Sequence, residues 1–313
     1  MHPSPTPLHI PDAYLSLIVA ILCWLITALT LAVAIRRTNQ SLGERQIPLM
    51  GVMAAFIFAA QMINFPTGVG VSGHLLGGVL AAILLGPWSA MLVMTAVIAV
   101  QGLLFQDGGL TAMGANILNM GILTSAIGYG FYRAVMGRSR GLILVSAGIA
   151  AWLSVMAGAL TTSLELWLSG TAGLRLVLPA MLVIHALIGL GEAAITVAAL
   201  AFLFRTRPDL LNGTSASVQG GRGWIAAGFL ISLAVILLVP FASANPDGLN
   251  RVAADLGFAP SAQTSSAPAL LPGYIIPALG SDGLSKIAAS LIGILVVIAL
   301  TVGISRAIRN RKS

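Results

Sequence analysis

The chain has 313 residues, 58% of them hydrophobic and only 8% charged, with a formal net charge of +7. A soluble domain carries about 25% charged residues, so that class is excluded. A mean hydropathy of +0.98 and repeated long apolar runs indicate an all-α, polytopic membrane helix bundle. The positive charge reads as Lys and Arg gathered in short connections rather than as a nucleic-acid footprint, and no nucleic-acid partner is expected. The single cysteine, Cys23, lies inside an apolar run, so neither a disulfide framework nor a thiolate metal site forms within one chain.

Nine membrane segments are expected, near 15–35, 47–63, 73–85, 87–104, 115–135, 142–168, 176–204, 224–241 and 284–304. The first has no basic residues before it and does not read as a cleaved signal. The third, at roughly 13 residues and 1.5 Å per residue, is too short for a hydrocarbon core of about 30 Å. It starts in the Gly-rich stretch PTGVGVSGH and ends at Gly86-Pro87. Non-helical backbone at membrane depth persists only where protein or a wet cavity satisfies it, which places a candidate site at the start of this segment.

Placing the N-terminus outside puts thirteen basic residues, from Arg36 to Lys312, on the inner side and only Arg175, Arg251 and Lys286 on the outer side. This bias orients the chain, with the C-terminus cytoplasmic. Three units are expected. Residues 1–204 form a unit of seven helices, 205–222 a polar Gly/Ser-rich cytoplasmic linker, and 223–313 a two-span unit with an outer loop. That loop starts at Ala242 with the turn sequence NPDG.

The chain has four histidines. His74 follows the glycines of PTGVGVSGH, and neutral imidazole ligates nickel, copper, zinc or cobalt; the alternative is a loop histidine in a plain hydrogen bond. Met1-His2 could combine amine, amide and imidazole nitrogens in a planar set suited to Ni(II) or Cu(II), or be an idle terminus. His185 and Glu192 lie seven apart on one helical face, as cavity residues or as interhelical glue. Asn116 and Asn119 share a face in FQDGGLTAMGANILNMG, where Asp107 and two glycines make a turn. Glu165, near the outer end of its helix, is expected to be solvated. Ala28 and Ala32 are candidate close-approach positions. There is no P-loop, G-x-S-x-G or H-E-x-x-H, so no catalytic constellation is expected.

HIPDAYLS, SGHLLGGVLAAILLGPW, FQDGGLTAMGANILNMG and HALIGLGEAAIT, in that order over about residues 9–205, resemble the membrane-embedded substrate-binding component of cobalt/nickel energy-coupling-factor transporters. The second unit resembles the small accessory subunit of such transporters, with Asn250 where that family's Pro-Asp-Gly-Leu-Glu motif has glutamate. The resemblance implies capture of Ni²⁺ or Co²⁺, as substrate rather than resident cofactor, at the outer face of a bacterial inner membrane. It implies a transmembrane coupling subunit and two cytoplasmic ATPases as partners. It implies a part for the second unit in loading or gating the outer site.

The implied ligands are an N-terminal amine, the amide and side chain of the following histidine, and the histidine of SGHLLGG. They fall on the Leu8 backbone, His9 and His74, with His2 as the alternative. Family members begin Met-His-Ile-x-Asp, whereas here Leu8 precedes His9. A start at position 8, processing after Pro7, or chelation by Met1-His2 would each restore a terminal amine. A transporter of a small organic solute, using His74, Asn116 and Glu192, and an assembly protein without substrate are the competing readings.

Overall fold

In lipid every backbone polar group needs an internal partner, so long apolar runs fold as helices. The computed structural model describes residues 9–43, 46–207, 223–259, 270–279 and 282–310. Met1, His2, Leu8 and most of the linker lie outside the described residues.

The first unit contains α1 (Leu17–Ser41), α2 (Gln46–Gln61), α3 (Gly78–Leu85), α4 (Pro87–Phe105), α5 (Met113–Asn116), a π-helical stretch (Ile117–Leu123), α6 (Thr124–Val135), α7 (Arg140–Leu168) and α8 (Leu174–Thr206). The second unit has α9 (Gly223–Ile236), the short outer helix α10 (Gly248–Leu256) and α11 (Asp282–Asn310). Among the described residues six helices are long and apolar enough to cross a membrane, and α2 is a shorter apolar helix. The Ser16 side chain caps α1 by accepting from Val19 N–H, and Ser139 caps α7 by accepting from Leu142 N–H. Pro87, at the first turn of α4, fits there because its missing N–H is not needed.

The third apolar segment is helical only over Gly78–Leu85. Before it, β1 (Phe65–Pro66) and β2 (Ser72–Gly73) pair antiparallel, and residues 74–77 are irregular. Within the fifth segment the helix widens to a π-helix at Ile117–Leu123. Such insertions re-aim side chains and are frequent at functional sites.

The main core joins the two units. α7 and α8 pair along their lengths, α11 lies against α2 and α4, and α9 lies against α2. Leu17, Ile18 and Leu29 of α1 are 69%, 73% and 70% exposed, which is the outward apolar face a lipid-facing helix needs. Ala28 and Ala32 lie on that exposed face and mediate no close approach. The buried face of α1 carries Ala20, Cys23, Thr27 and Ala34 instead, one turn or so apart.

Candidate metal centre

Three structural features bring the site together. The first is the segment starting at His9, which is docked by backbone-like bonds. Asn116 accepts from Ile10 N–H at 3.0 Å and donates to Ile10 C=O at 3.1 Å, and Gly109 N–H donates to the same carbonyl at 2.9 Å. Asp12 Oδ1 accepts from the Thr111 N–H and hydroxyl. Asn116 therefore anchors the segment that carries His9.

The second feature is the irregular stretch at His74. Its backbone donors fall to Glu192 of α8, whose carboxylate accepts from Leu76 N–H at 2.6 Å and Gly77 N–H at 3.0 Å. Gln61 donates to the Leu76 carbonyl. Glu192 is fully buried, and these two N–H donors at the start of α3 offset its desolvation. It supports the His74 segment rather than lining the cavity.

The third feature comes from the second unit. Ser72 N–H donates to Pro246 C=O at 2.9 Å, and Ser72 and Asp247 form a parallel bridge. The NPDG turn is thereby laid across the PTGVGVSGH loop. Asp247 then caps α10 by accepting from Asn250 N–H at 2.7 Å. A side chain at Gly248 would meet His185 Cε1 at 2.6 Å and Ile188 Cδ1 at 3.0 Å, so any larger residue would have to push the His185 ring aside. Burial pushes the Asp247 carboxyl up to about 7, with the nearby Asp107 charge adding to the rise and hydrogen bonds from Asn250 and Leu249 opposing it.

These elements enclose a cavity of about 90 Å³ lined by His9, His74, His185, Asn116, Asn119 and Asp247 among others, with no lysine or arginine among the described lining residues. The His9 and His74 rings meet edge to face with centroids 5.7 Å apart. Each of the three histidines turns Nδ1 to a main-chain carbonyl: His9 to Asp107 at 2.8 Å, His74 to Leu75 at 3.0 Å and His185 to Met181 at 2.7 Å. A carbonyl only accepts, so Nδ1 carries the proton and Nε2 keeps its lone pair. His9 Nε2 and Asn119 Oδ1 are buried without a hydrogen-bond partner among the described residues. No three His, Cys, Asp or Glu side chains among the described residues are grouped closely enough to hold an ion on their own.

A planar chelate using the amide and ring of one histidine closes through Nδ1. In this structure the Nδ1 of His9 is engaged by the Asp107 carbonyl, and Nε2 is the nitrogen left to a ligand.

Glu165 is not solvated. It is 7% exposed, accepts from Asn119 Nδ2 at 2.8 Å, and takes the Cys23 thiol at 3.5 Å. The π-helix turns Asn119 toward α7, where its amide meets the carboxylate.

Sequence reasoning missed Asp247, Ser72 and Tyr274. A signal for Asp247 was present: the chain has only nine acidic residues, and a buried one is costly without a role. Tyr274 carried no such signal.

A bundle of long apolar helices with three histidines lining one small cavity defines a polytopic membrane protein. Residues 9–210 match the CbiM family, described as the cobalt uptake substrate-specific transmembrane region, and residues 222–310 match the PDGLE domain. The chain belongs to the CbiM family. A fused nickel transport protein, NikMN, of Archaeoglobus fulgidus is 36% identical over 308 residues, covering 97% of this chain and 100% of that protein. The fused nickel transport protein NikMN of Rhodobacter capsulatus is 32% identical over 292 residues, covering 85% and 84%. A crystal structure of a transition metal transporter superposes with a TM-score of 0.59 at 32% identity, covering 68% of this chain and 100% of that one.

Proposed function

We propose that this chain captures Ni²⁺ or Co²⁺ on the outer side of a bacterial cytoplasmic membrane and delivers it for uptake driven by separate subunits. The observation that carries the reading is the convergence of His9, His74 and His185 on one small cavity that holds no lysine or arginine among its described lining. Imidazole nitrogens suit both metals, and family membership and the nickel transport relatives support the class. His9 and His74 are the ligand side chains; amide nitrogens or water supply the remaining donors. Asn116, Asn119, Glu192 and His185 hold or line the site. The two units divide as 1–204 and 223–313, joined by the 205–222 linker, with the N-terminus outside.

A transmembrane coupling subunit and two ATPase subunits complete the transporter, and the chain itself hydrolyses nothing. The competing organic-solute reading fits less well, because such ligands occupy cavities of about 300–1,000 Å³ and this one is about 90 Å³.

The test is calorimetric titration of the purified full chain with Ni²⁺ and Co²⁺. Wild type binds at least one metal, and His9→Ala and His74→Ala each lose binding while melting near the wild-type temperature. Full retention by both variants overturns the reading. For delivery, metal uptake in cells requires co-expressed coupling and ATPase subunits; uptake by this chain alone sinks that part.

A further inference from the structure

Asn119 brings a buried acceptor to the cavity wall. The side chain is 3% exposed and belongs to the π-helical stretch Ile117–Leu123. An amide nitrogen carries two hydrogens and the amide oxygen none. Here Nδ2 donates to Glu165 Oε2 at 2.8 Å and lies 3.3 Å from Thr162 Oγ1. The other carboxylate oxygen, Oε1, takes the Cys23 thiol at 3.5 Å.

A carboxylate with a donor on each oxygen only accepts. The amide therefore cannot turn its oxygen to Glu165 without setting acceptor against acceptor. Asn119 lines the cavity together with His9 and His74, and Glu165 is not among the described lining residues. The amide oxygen is thus the end left to the cavity, and it meets no protein donor among the described residues. A buried acceptor without a donor is costly, and native structures keep one where water, an ion or a function meets it. The cavity, at about 90 Å³, admits a water beside a bound ion, since one water needs roughly 10–15 Å³.

We infer that Asn119 is a specificity-determining residue of the metal site: its amide oxygen, oriented by Glu165, accepts a hydrogen bond from a water carried by the bound ion. The inference rests on the metal-capture reading. Its consequence is a bias between the two metals. Ni²⁺ suits a square plane of nitrogen donors and in that plane holds axial water weakly, whereas Co²⁺ keeps it. A fixed acceptor in the cavity wall favours the ion that keeps its water, and so raises Co²⁺ relative to Ni²⁺. Glu165 and Cys23 touch no ion; they hold the amide the right way round.

The experiment titrates the purified full chain with Ni²⁺ and Co²⁺ and reads the ratio of their affinities. Asn119→Leu keeps the size of the side chain and deletes the oxygen. Co²⁺ affinity should fall about tenfold, the size of one hydrogen bond, and Ni²⁺ affinity by less than about threefold. The visible bands of bound Co²⁺ should gain intensity as the water is lost. The double variant Asn119→Asp, Glu165→Gln reverses donor and acceptor across the contact and again leaves an oxygen to the cavity. Its affinity ratio should return to the wild-type value or exceed it. An unchanged ratio with unchanged Co²⁺ bands in Asn119→Leu overturns the role of Asn119. Equal losses for both metals that the double variant does not restore mark a packing effect and overturn it too. Should Asn119→Leu fail to fold, Asn119→Met, whose flexible chain fits irregular space, carries the same test. A wild type that binds neither ion defeats the metal-capture reading itself, whereas a bound ion with an unmoved ratio defeats only the role of Asn119.

Discussion

Glu192 and Gly77 lie 115 residues apart, yet the carboxylate of one accepts the backbone N–H of the other at 3.0 Å, and that of Leu76 at 2.6 Å. An unwound stretch inside an apolar bundle exists here because a buried acid on α8 satisfies its donors. The cost of losing that acid follows directly. Glu192→Ala strands two buried N–H groups, each at about 1–3 kcal/mol, so a destabilisation of roughly 2–6 kcal/mol is expected. Glu192→Gln keeps an acceptor and loses less. Thermal unfolding in detergent measures both, and equal melting for Ala and Gln variants contradicts the assignment. Metal affinity should fall in parallel, since His74 immediately precedes this stretch.

The three cavity histidines should not contribute equally. His9 and His74 stand ring against ring, whereas His185 packs beside Gly248. Alanine at position 9 or 74 is expected to reduce Ni²⁺ or Co²⁺ affinity at least a hundred-fold, on the order of 3 kcal/mol, with a smaller loss at 185. If His2 were the chelator, His2→Ala would have the largest effect of the four in the same titration.

Gly248 is a steric prediction. Alanine there pushes into the His185 ring and Ile188 and should lift the start of α10 at about 1–3 kcal/mol, the usual range for overpacking. Limited proteolysis of the outer loop reads the change. Gly130→Ala is the control, because a side chain there meets nothing within 4 Å and alanine favours a helix.

Docking of the outer loop should depend on pH through Asp247. Its carboxyl is raised to about 7 by burial first and by the Asp107 charge second, while unfolded aspartate titrates near pH 3.9. Between about pH 4 and 7 the folded chain therefore holds the extra proton, and stability falls as pH rises through that window. Hydrogen exchange at the Ser72 amide, which donates to Pro246, should accelerate accordingly. Asp247→Asn should flatten the dependence; an unchanged slope in that variant removes Asp247 as its source.

The Asn119–Glu165 contact gives a last comparison. Asn119→Leu removes the 2.8 Å bond to a buried carboxylate, expected to cost about 1.5–3 kcal/mol for a hydrogen bond to a charged group. Asn119→Asp sets two acids side by side and should be worse. Melting temperatures that rank these the other way refute the pairing.

Much of this molecule is legible in one dimension. Hydropathy alone identifies the membrane class, because lipid admits only chains that satisfy their own backbone. The helices follow the nine apolar runs, and the short run after PTGVGVSGH marks where the helix fails. His9, His74 and Asn116 stand out because polar groups are rare in so apolar a chain. The small-residue face of α1 was misplaced, since Ala28 and Ala32 share a helical spacing with dozens of other small pairs. Glu165 was misread because position along a helix does not reveal what the neighbouring helix presents.

The residue pattern by itself therefore determined an all-α membrane bundle and its irregular third segment, since these follow from local hydrophobicity and spacing. Only the tertiary structure decided that Asp247, from the far end of the chain, lines the cavity and that Tyr274 donates its hydroxyl to Asp107 beside His9. Such contacts depend on helix packing and loop closure over more than a hundred residues, and no local rule encodes a hydrogen bond across that separation.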